Sequence, residues 1–252
     1  MSKLSRRWRR VRQFVHEWMG VRYELDGCSF TLPPWADDVK RNIRRGHYEA
    51  AERRLVARWL KGERAMVELG GAFGILSGAI GARLHADTPH IVVEANPKLV
   101  AFCRLNATAA RQADAPVTAV HAAIAYNCGN EADFIPSGAF LGSRLALPGE
   151  AGAIKVPVTT LAQVLAAHVP DRDFDLVCDI EGAELELLLH DAGSLSRCYL
   201  AIIELHPDVF AAKGSSEADF VALLGSAGFE IVDRDENVIV ARNRNIGGQS
   251  ES

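Results

Sequence analysis

Met66-Val67-Glu68-Leu69-Gly70-Gly71-Ala72-Phe73-Gly74 is the stretch whose reading decides the fold. A short apolar run ends in glycines, and the residues beyond Gly74 take up a helical period. A strand that turns through glycine into a helix is the entry to an α/β fold. Glycine permits the sharp turn and lets a ligand come close to the main chain. In an open α/β sheet, ligands bind beyond the carboxyl ends of the strands, near such a turn.

Outward from that turn, apolar runs alternate with helical periods. The pattern predicts strands at 65–69, 91–94, 117–122, 176–179, 199–205, 230–232 and 238–241. It predicts helices near 75–84, 97–110, 161–167, 183–189 and 217–227. The fold expected is therefore α/β and Rossmann-like, with a mostly parallel seven-stranded sheet. Residues 201–203 are continuously apolar, as a parallel strand buried on both faces requires. The last two strands are close enough in sequence to form a terminal antiparallel hairpin. Pro97 suits the first turn of a helix, where its missing N–H costs nothing. Residues 125–156 break the rhythm with Gly129, Pro136, Gly138, Gly142, Pro148, Gly149 and Gly152. They read as a long loop, either a lid over a binding site or a plain surface excursion.

The 252 residues carry a formal net charge of −4, unevenly spread. Residues 1–61 hold 15 Lys/Arg against 7 Asp/Glu, and residues 62–252 hold 13 against 25. This suggests a basic N-terminal helical arm (1–61), a folded body (62–244) and a flexible C-terminal tail (245–252). In the arm, Leu4, Trp8, Val11, Val15 and Trp18 mark one stripe of a helix. A second helical stretch spans 48–60, and Gly27, Pro33 and Pro34 make 26–34 extended or turn. Such a basic helix either lies on an anionic membrane or, more commonly, packs its stripe on its own domain. The acidic body argues against a nucleic-acid track. No apolar run approaches the ~20 residues that span a bilayer. Charges interrupt any secretory segment behind the twin arginine Arg6 and Arg7. Five scattered cysteines without a CxxC pair read as reduced thiols. The location expected is cytoplasmic, free or at the inner face of a membrane. With 48% hydrophobic and 24% charged residues, a wholly disordered, collagenous or coiled-coil chain is excluded.

Twenty residues after Gly74, at the end of the next strand, stands Glu94. An acid there can accept hydrogen bonds from both ribose hydroxyls of an adenosine cofactor. The dinucleotide pattern G-x-G-x-x-G is absent. In its place stands Gly70-Gly71-x-x-Gly74, preceded by Glu68. A carboxylate at that point is a poor neighbour for a pyrophosphate. It suits a cation, such as the amino and sulfonium groups of S-adenosylmethionine. The cofactor contacts expected are Glu68, Gly70, Gly71, Ala72, Gly74, Glu94, Ala95, Asn96 and Asp179, with Ala123 in an apolar slot for adenine. Asn96 also suits a cap before the helix at Pro97. The competing explanation is that a tight strand–helix turn needs glycine for structural reasons alone.

Further blocks extend the pattern: Val93-Glu94-Ala-Asn-Pro97, Cys178-Asp179-Ile-Glu-Gly-Ala-Glu184 and Ile203-Glu204-Leu-His206. Gly46-His-Tyr-Glu49 precedes the first of these strands, and Val158-Thr-Thr-Leu161 precedes the fourth. With the glycine loop, in this order, they resemble the FkbM-type methyltransferases over about residues 46–241. The resemblance implies a class I methyltransferase fold and S-adenosylmethionine-dependent O-methylation of a sugar, glycolipid or polyketide-type hydroxyl. The family's loop usually reads Asp-x-Gly-Ala-Asn-x-Gly. Here Glu68, Gly71 and Ala72 replace its Asp, Ala and Asn. Glu keeps the charge one methylene further out, and the loss of Asn removes a polar anchor.

Methyl transfer to a hydroxyl needs an in-line oxygen, a proton acceptor and exclusion of water. The ends of the fourth and fifth strands should bring together Asp179, Glu181, Glu204 and His206. The predicted catalytic set is His206, Asp179 and Glu204. His206 is the first choice of base, since its ordinary pKa of ~6.5 suits proton abstraction near neutrality. Asp179 is the alternative base, and a histidine that merely caps a strand end is the bland reading. Glu181, Ser143 and Arg144 are candidate substrate contacts. Glu184 and Glu186, at a helix start, read as structural or solvated. The oxygen-rich cluster would also suit Mg²⁺, but no metal-binding spacing accompanies it and no metal is assigned. The activity expected is O-methylation of a small-molecule or glycan hydroxyl. Two rivals stand beside it: a nicotinamide-dependent oxidoreductase, and a cofactor-binding or membrane-docking module without turnover. Neither acceptor nor oligomeric state is legible.

Overall fold

The computed structural model describes residues 20–111, 115–137, 142–147 and 149–246. The helix expected through residues 4–18, and nearly all of the expected tail, lie outside them. The described chain begins with β1 (Val21–Leu25) and β2 (Cys28–Leu32), an antiparallel hairpin. Asp26 and Gly27 turn it with φ of 51° and 78°, the left-handed pair whose twist matches that of the strands. Helices α1 (Asp37–Arg44) and α2 (Ala50–Trp59) follow. The hairpin and α1 were not anticipated. In α1, Asp37 and Asp38 in the first turn and Arg41 and Arg44 in the last complement the helix dipole.

Next come β3 (Ala65–Leu69), α3 (Ile75–Gly81), β4 (His90–Glu94), α4 (Val100–Ala109) and β5 (Val117–His121). A second, four-stranded sheet holds β6 (Ala123–Ile124), β7 (Glu131–Ile135), β8 (Arg144–Leu145) and β9 (Ile154–Thr159), ordered β6-β9-β7-β8. The chain then runs through α5 (Leu161–His168), β10 (Phe174–Cys178), α6 (Glu184–Asp191) and β11 (Cys198–Glu204). It ends with α7 (Pro207–Ala212), α8 (Glu217–Ser226), β12 (Phe229–Asp235) and β13 (Val238–Asn243).

All seven predicted strands enter one sheet, ordered β12-β13-β11-β10-β3-β4-β5. The five strands from β11 to the β5 edge are parallel, and β13 pairs antiparallel with both β11 and β12. This is a Rossmann-like α/β fold with a C-terminal antiparallel hairpin. From β3 the chain builds outward to β4 and β5, then returns to add β10 and β11 on the other side. The carboxyl ends of β3 and β10 therefore flank the switch point, where a crevice must open.

Within residues 125–156 the sequence reading needs a correction: β7, β8 and the start of β9 interrupt the expected loop. Ala123, Phe134 and Val156 share a small core of their own. Asp133 pairs with Lys155 across β7 and β9 at 3.0 Å. Gly and Pro confine these strands to short runs, which hides their alternation. Pro97 likewise lies in a turn before α4 rather than in its first turn.

One face of the main sheet packs Val67, Leu69, Leu176 and Ile203 against α5, α6 and α8. The other packs Met66, Val177 and Ile202 against Leu55 of α2 and Leu76 of α3. A third core joins Phe30, Leu32, Val39 and Ile43 to Phe73, Ile75, Leu99 and Phe102. The N-terminal hairpin thus closes over the glycine loop and α4. Asn106 stitches the two together. Its Oδ1 accepts from Thr31 N at 2.7 Å, and its Nδ2 donates to Thr31 O at 3.0 Å and Phe73 O at 2.7 Å. Asn106→Ala strands these buried backbone groups and is expected to lower stability by about 2–4 kcal/mol. A denaturant melt reads the loss as a lower midpoint at unchanged slope. Among the described residues, no helix is long and apolar enough to cross a membrane. The five cysteines are unpaired thiols.

Candidate active site

The crevice at the switch point is real, with a volume of about 650 Å³ counted to its open mouth. Gly70 forms its floor. Its φ is +91°, and a Cβ there would meet the Asp179 carbonyl oxygen at 1.7 Å. The strands are tied at this point by Gly70 N to Val93 O at 2.9 Å and Asp179 N to Leu69 O at 2.9 Å. Only glycine lets β3 turn away so close to β10. Ala72 takes φ 42°, a left-handed conformation in which Asn is better tolerated than Ala.

Glu94 closes one wall. Its Oε2 accepts from Ala72 N at 2.6 Å and its Oε1 from Asn96 N at 2.5 Å. A carboxylate has about four acceptor sites, so both oxygens remain able to accept a hydroxyl. Burial raises the Glu94 pKa to about 7, although the amides of Asn96 and Ala72 oppose the shift. Below that pH the group holds a proton and loses accepting capacity; above it the carboxylate is restored. Affinity for S-adenosylhomocysteine is therefore expected to rise with pH through 7, by up to about tenfold per unit on the acid side. Calorimetry between pH 6 and 8 checks this, and Glu94→Gln should flatten the profile.

The crevice brings together most of the expected cofactor contacts. Gly70, Ala72, Glu94, Ala95, Ala123 and Asp179 line it, with an apolar slot formed by Leu99, Ala122, Ile124 and Phe134. Four expected residues lie elsewhere. Glu68 is fully buried beneath the loop, where Ser77 Oγ donates to its Oε1 at 2.8 Å. His90 Nε2 lies 2.8 Å from the other oxygen. Side chains alternate along a strand, so Glu68 shares the face of Met66 and looks toward α3 rather than the crevice. Gly71 packs against Val92 and Cys103, and Gly74 sits left-handed at the start of α3. Asn96 is buried, and its Oδ1 accepts from Lys98 N at 3.1 Å. These three shape the loops around the crevice without lining it.

The candidate substrate contacts are also sorted. Ser143 lines the crevice, and its Oγ accepts from Ser137 N at 3.0 Å. Arg144 lines it too, but Glu150 holds its guanidinium at 2.9 and 2.6 Å. Its charge is thus satisfied within its own segment. Glu181, at φ 53°, accepts from Gly142 N at 2.7 Å and so ties the second sheet's turn to the site.

A second, larger chamber opens beside the crevice and shares Ala72, Asp179 and Glu181 with it. Glu49, Glu52, Glu204, His206 and Glu236 also line it. His206 Nε2 lies 3.6 Å from Asp179 Oδ1 and 3.4 Å from Glu181 Oε2; its Nδ1 lies 3.2 Å from Glu184 Oε1. Glu184 also accepts from Ile180 N and Gly182 N, which fixes the turn after β10. Burial lowers the His206 pKa, but Glu184, Glu181 and Glu204 outweigh it and raise the value to about 9. The ordinary histidine value assumed from sequence does not apply. Burial and the charges of Asp179 and Glu52 raise Glu204 to about 9. Burial and the neighbouring Glu181 and Glu184 also push Asp179 well above the usual carboxylate range.

Residues 73–231, more than half of the chain, match the methyltransferase FkbM domain. The chain belongs to the FkbM methyltransferase family. It is an S-adenosylmethionine-dependent methyltransferase, and the nicotinamide alternative is set aside. No curated protein matches this FkbM methyltransferase. Among solved structures, it is similar to magnesium protoporphyrin IX methyltransferase from Synechocystis PCC 6803 with bound SAM. The two share 15% identity over 96% of this chain and 92% of that one, with a TM-score of 0.48. The same enzyme with bound SAH gives 13% identity, 96% and 95% coverage and a TM-score of 0.47. A putative O-methyltransferase from Klebsiella pneumoniae gives 14%, 84%, 90% and 0.45.

The residues present fit the cofactor of an FkbM methyltransferase: a bare glycine floor, the Glu94 carboxylate and an apolar slot in one crevice. Sequence reasoning missed much of the second chamber, notably Tyr48, Glu49 and Glu52. Their one trace in the sequence is the block Gly46-His-Tyr-Glu49. These residues precede β3 by more than a dozen positions, and only the return of α2 onto the sheet brings them to the site.

Proposed function

We propose that this methyltransferase acts on a hydroxyl oxygen of a small molecule or glycan seated in the acidic chamber. One observation carries the reading: Asp179 lines both cavities, with His206 beside it on the chamber side only. S-adenosylmethionine supplies an electrophilic methyl group on a sulfonium. Glu94 would accept hydrogen bonds from the ribose hydroxyls, and the slot of Leu99, Ala122, Ile124 and Phe134 would hold the adenine. Asp179, at the junction, orients the acceptor oxygen. His206, in its neutral form, takes up the hydroxyl proton. Glu204 holds the far side of the acceptor. The small sheet, tied down through Glu181 and Gly142, limits water at the reacting oxygen. The carboxylates suit a polyhydroxy acceptor, since each accepts hydrogen bonds from more than one hydroxyl. The unpaired thiols support a cytoplasmic location. The test is incubation of cell extract with methyl-labelled S-adenosylmethionine, followed by mass spectrometry of labelled products. An oxygen-linked methyl group is expected; label found only on nitrogen, sulfur or carbon would overturn the reading.

A further inference from the structure

We propose that the chamber binds one hard divalent cation of the Mg²⁺ or Mn²⁺ type between Glu52, Asp179 and Glu204. One oxygen from each of these carboxylates lies within 4.8 Å of the other two. Oxygens around a cation at about 2.1 Å stand roughly 3–4 Å apart, so a small inward movement completes the set. The three come from separate elements: α2, the turn after β10 and the end of β11. Glu52 is only 7% exposed. Among the described residues, no lysine or arginine pairs with any of the three. The neighbouring arginines are engaged elsewhere, Arg53 with Asp26 and Arg54 with Asp235 and Glu236.

A second, independent observation points to a ligand at the same place. Tyr48 is 3% exposed and lines this chamber, yet its hydroxyl makes no well-formed hydrogen bond. Its neighbours include Glu49 and Asp179. Glu49 Oε2 beside it likewise makes no well-formed hydrogen bond, and Asp179 Oδ1 has only His206 Nε2, 3.6 Å away. Buried polar atoms left without partners are costly. A cation with its bound waters supplies both charge and donors to all of them. An all-oxygen set selects Mg²⁺ or Mn²⁺ over Zn²⁺ or Cu²⁺. Asp179, Glu181 and His206 also lie close together. That set is less suited, because Glu184 and Glu181 already engage the histidine.

In the chamber, the cation would dock the acceptor hydroxyl beside Asp179. That role rests on the methyl-transfer reading; the cation site does not. The test uses the full chain stripped with chelator and titrated with Mn²⁺, with free Mn²⁺ read by electron paramagnetic resonance. One Mn²⁺ per chain is expected, displaced by excess Mg²⁺. Glu52→Gln and Glu204→Gln should each weaken binding at least about tenfold. Both variants should still bind S-adenosylhomocysteine, which shows that they fold. Wild-type protein that binds S-adenosylhomocysteine but takes up no Mn²⁺ overturns the proposal. Undiminished Mn²⁺ binding in both folded variants overturns it equally. Mn²⁺ binding without S-adenosylhomocysteine binding supports the cation site and counts against the methyl-transfer reading alone.

Discussion

His206→Ala is expected to lower turnover by about 10²–10⁴-fold, equivalent to about 3–5 kcal/mol of transition-state stabilisation. Donor affinity should stay within about twofold, because the loss falls on an interaction with the acceptor. The geometry separates the two effects. His206 borders the acidic chamber and is absent from the crevice lining. It meets the crevice only through Asp179 and Glu181, at 3.6 and 3.4 Å. Single-turnover methylation alongside S-adenosylhomocysteine calorimetry reads both quantities. Turnover equal to wild type would remove His206 from the chemistry.

Gly70→Ala should damage both cavities at once. The added methyl would lie 1.7 Å from the Asp179 carbonyl oxygen, and the residue keeps a φ of +91°. Backbone faces backbone there, so no side chain can swing aside. Strain and overpacking together are expected to cost about 2–5 kcal/mol. Any protein that remains folded must part β3 from β10. A shift of about 1 Å at reacting groups is worth roughly a hundredfold in rate. The measurements are a denaturant melt and S-adenosylhomocysteine binding. Wild-type values in both would show that the close approach is not needed.

The main sheet was legible because buried parallel strands write themselves as uninterrupted apolar runs. Ala65–Leu69 formed at the expected bounds, and the other six strands formed close to theirs. The hairpin at Val21–Leu25 and Cys28–Leu32 was not, although Asp26-Gly27 is a strong turn signal. Its strands mix exposed and half-buried positions, and Pro33-Pro34 drew attention to a loop instead. The site was legible in part for a different reason. Chemistry at strand ends follows from topology, so Glu94, Asp179, Glu204 and His206 fell where expected. Which face a side chain chooses does not follow so simply. Glu68 precedes the turn by two residues and turns inward, to Ser77 and His90. Tyr48, Glu49 and Glu52 reach the chamber through tertiary return alone, which no local spacing records.

The hairpin stitched down by Asn106 has a consequence for anyone dividing this chain. The change of charge near residue 61 invites a cut there. A fragment starting at residue 62 would uncover Phe73, Ile75, Leu99 and Phe102, which pack against Phe30, Leu32, Val39 and Ile43. It would also lack Tyr48, Glu49 and Glu52, one whole wall of the acidic chamber. The seam visible in the charge ledger therefore runs through the middle of the machine, and residues 20–61 are as much enzyme as the glycine turn.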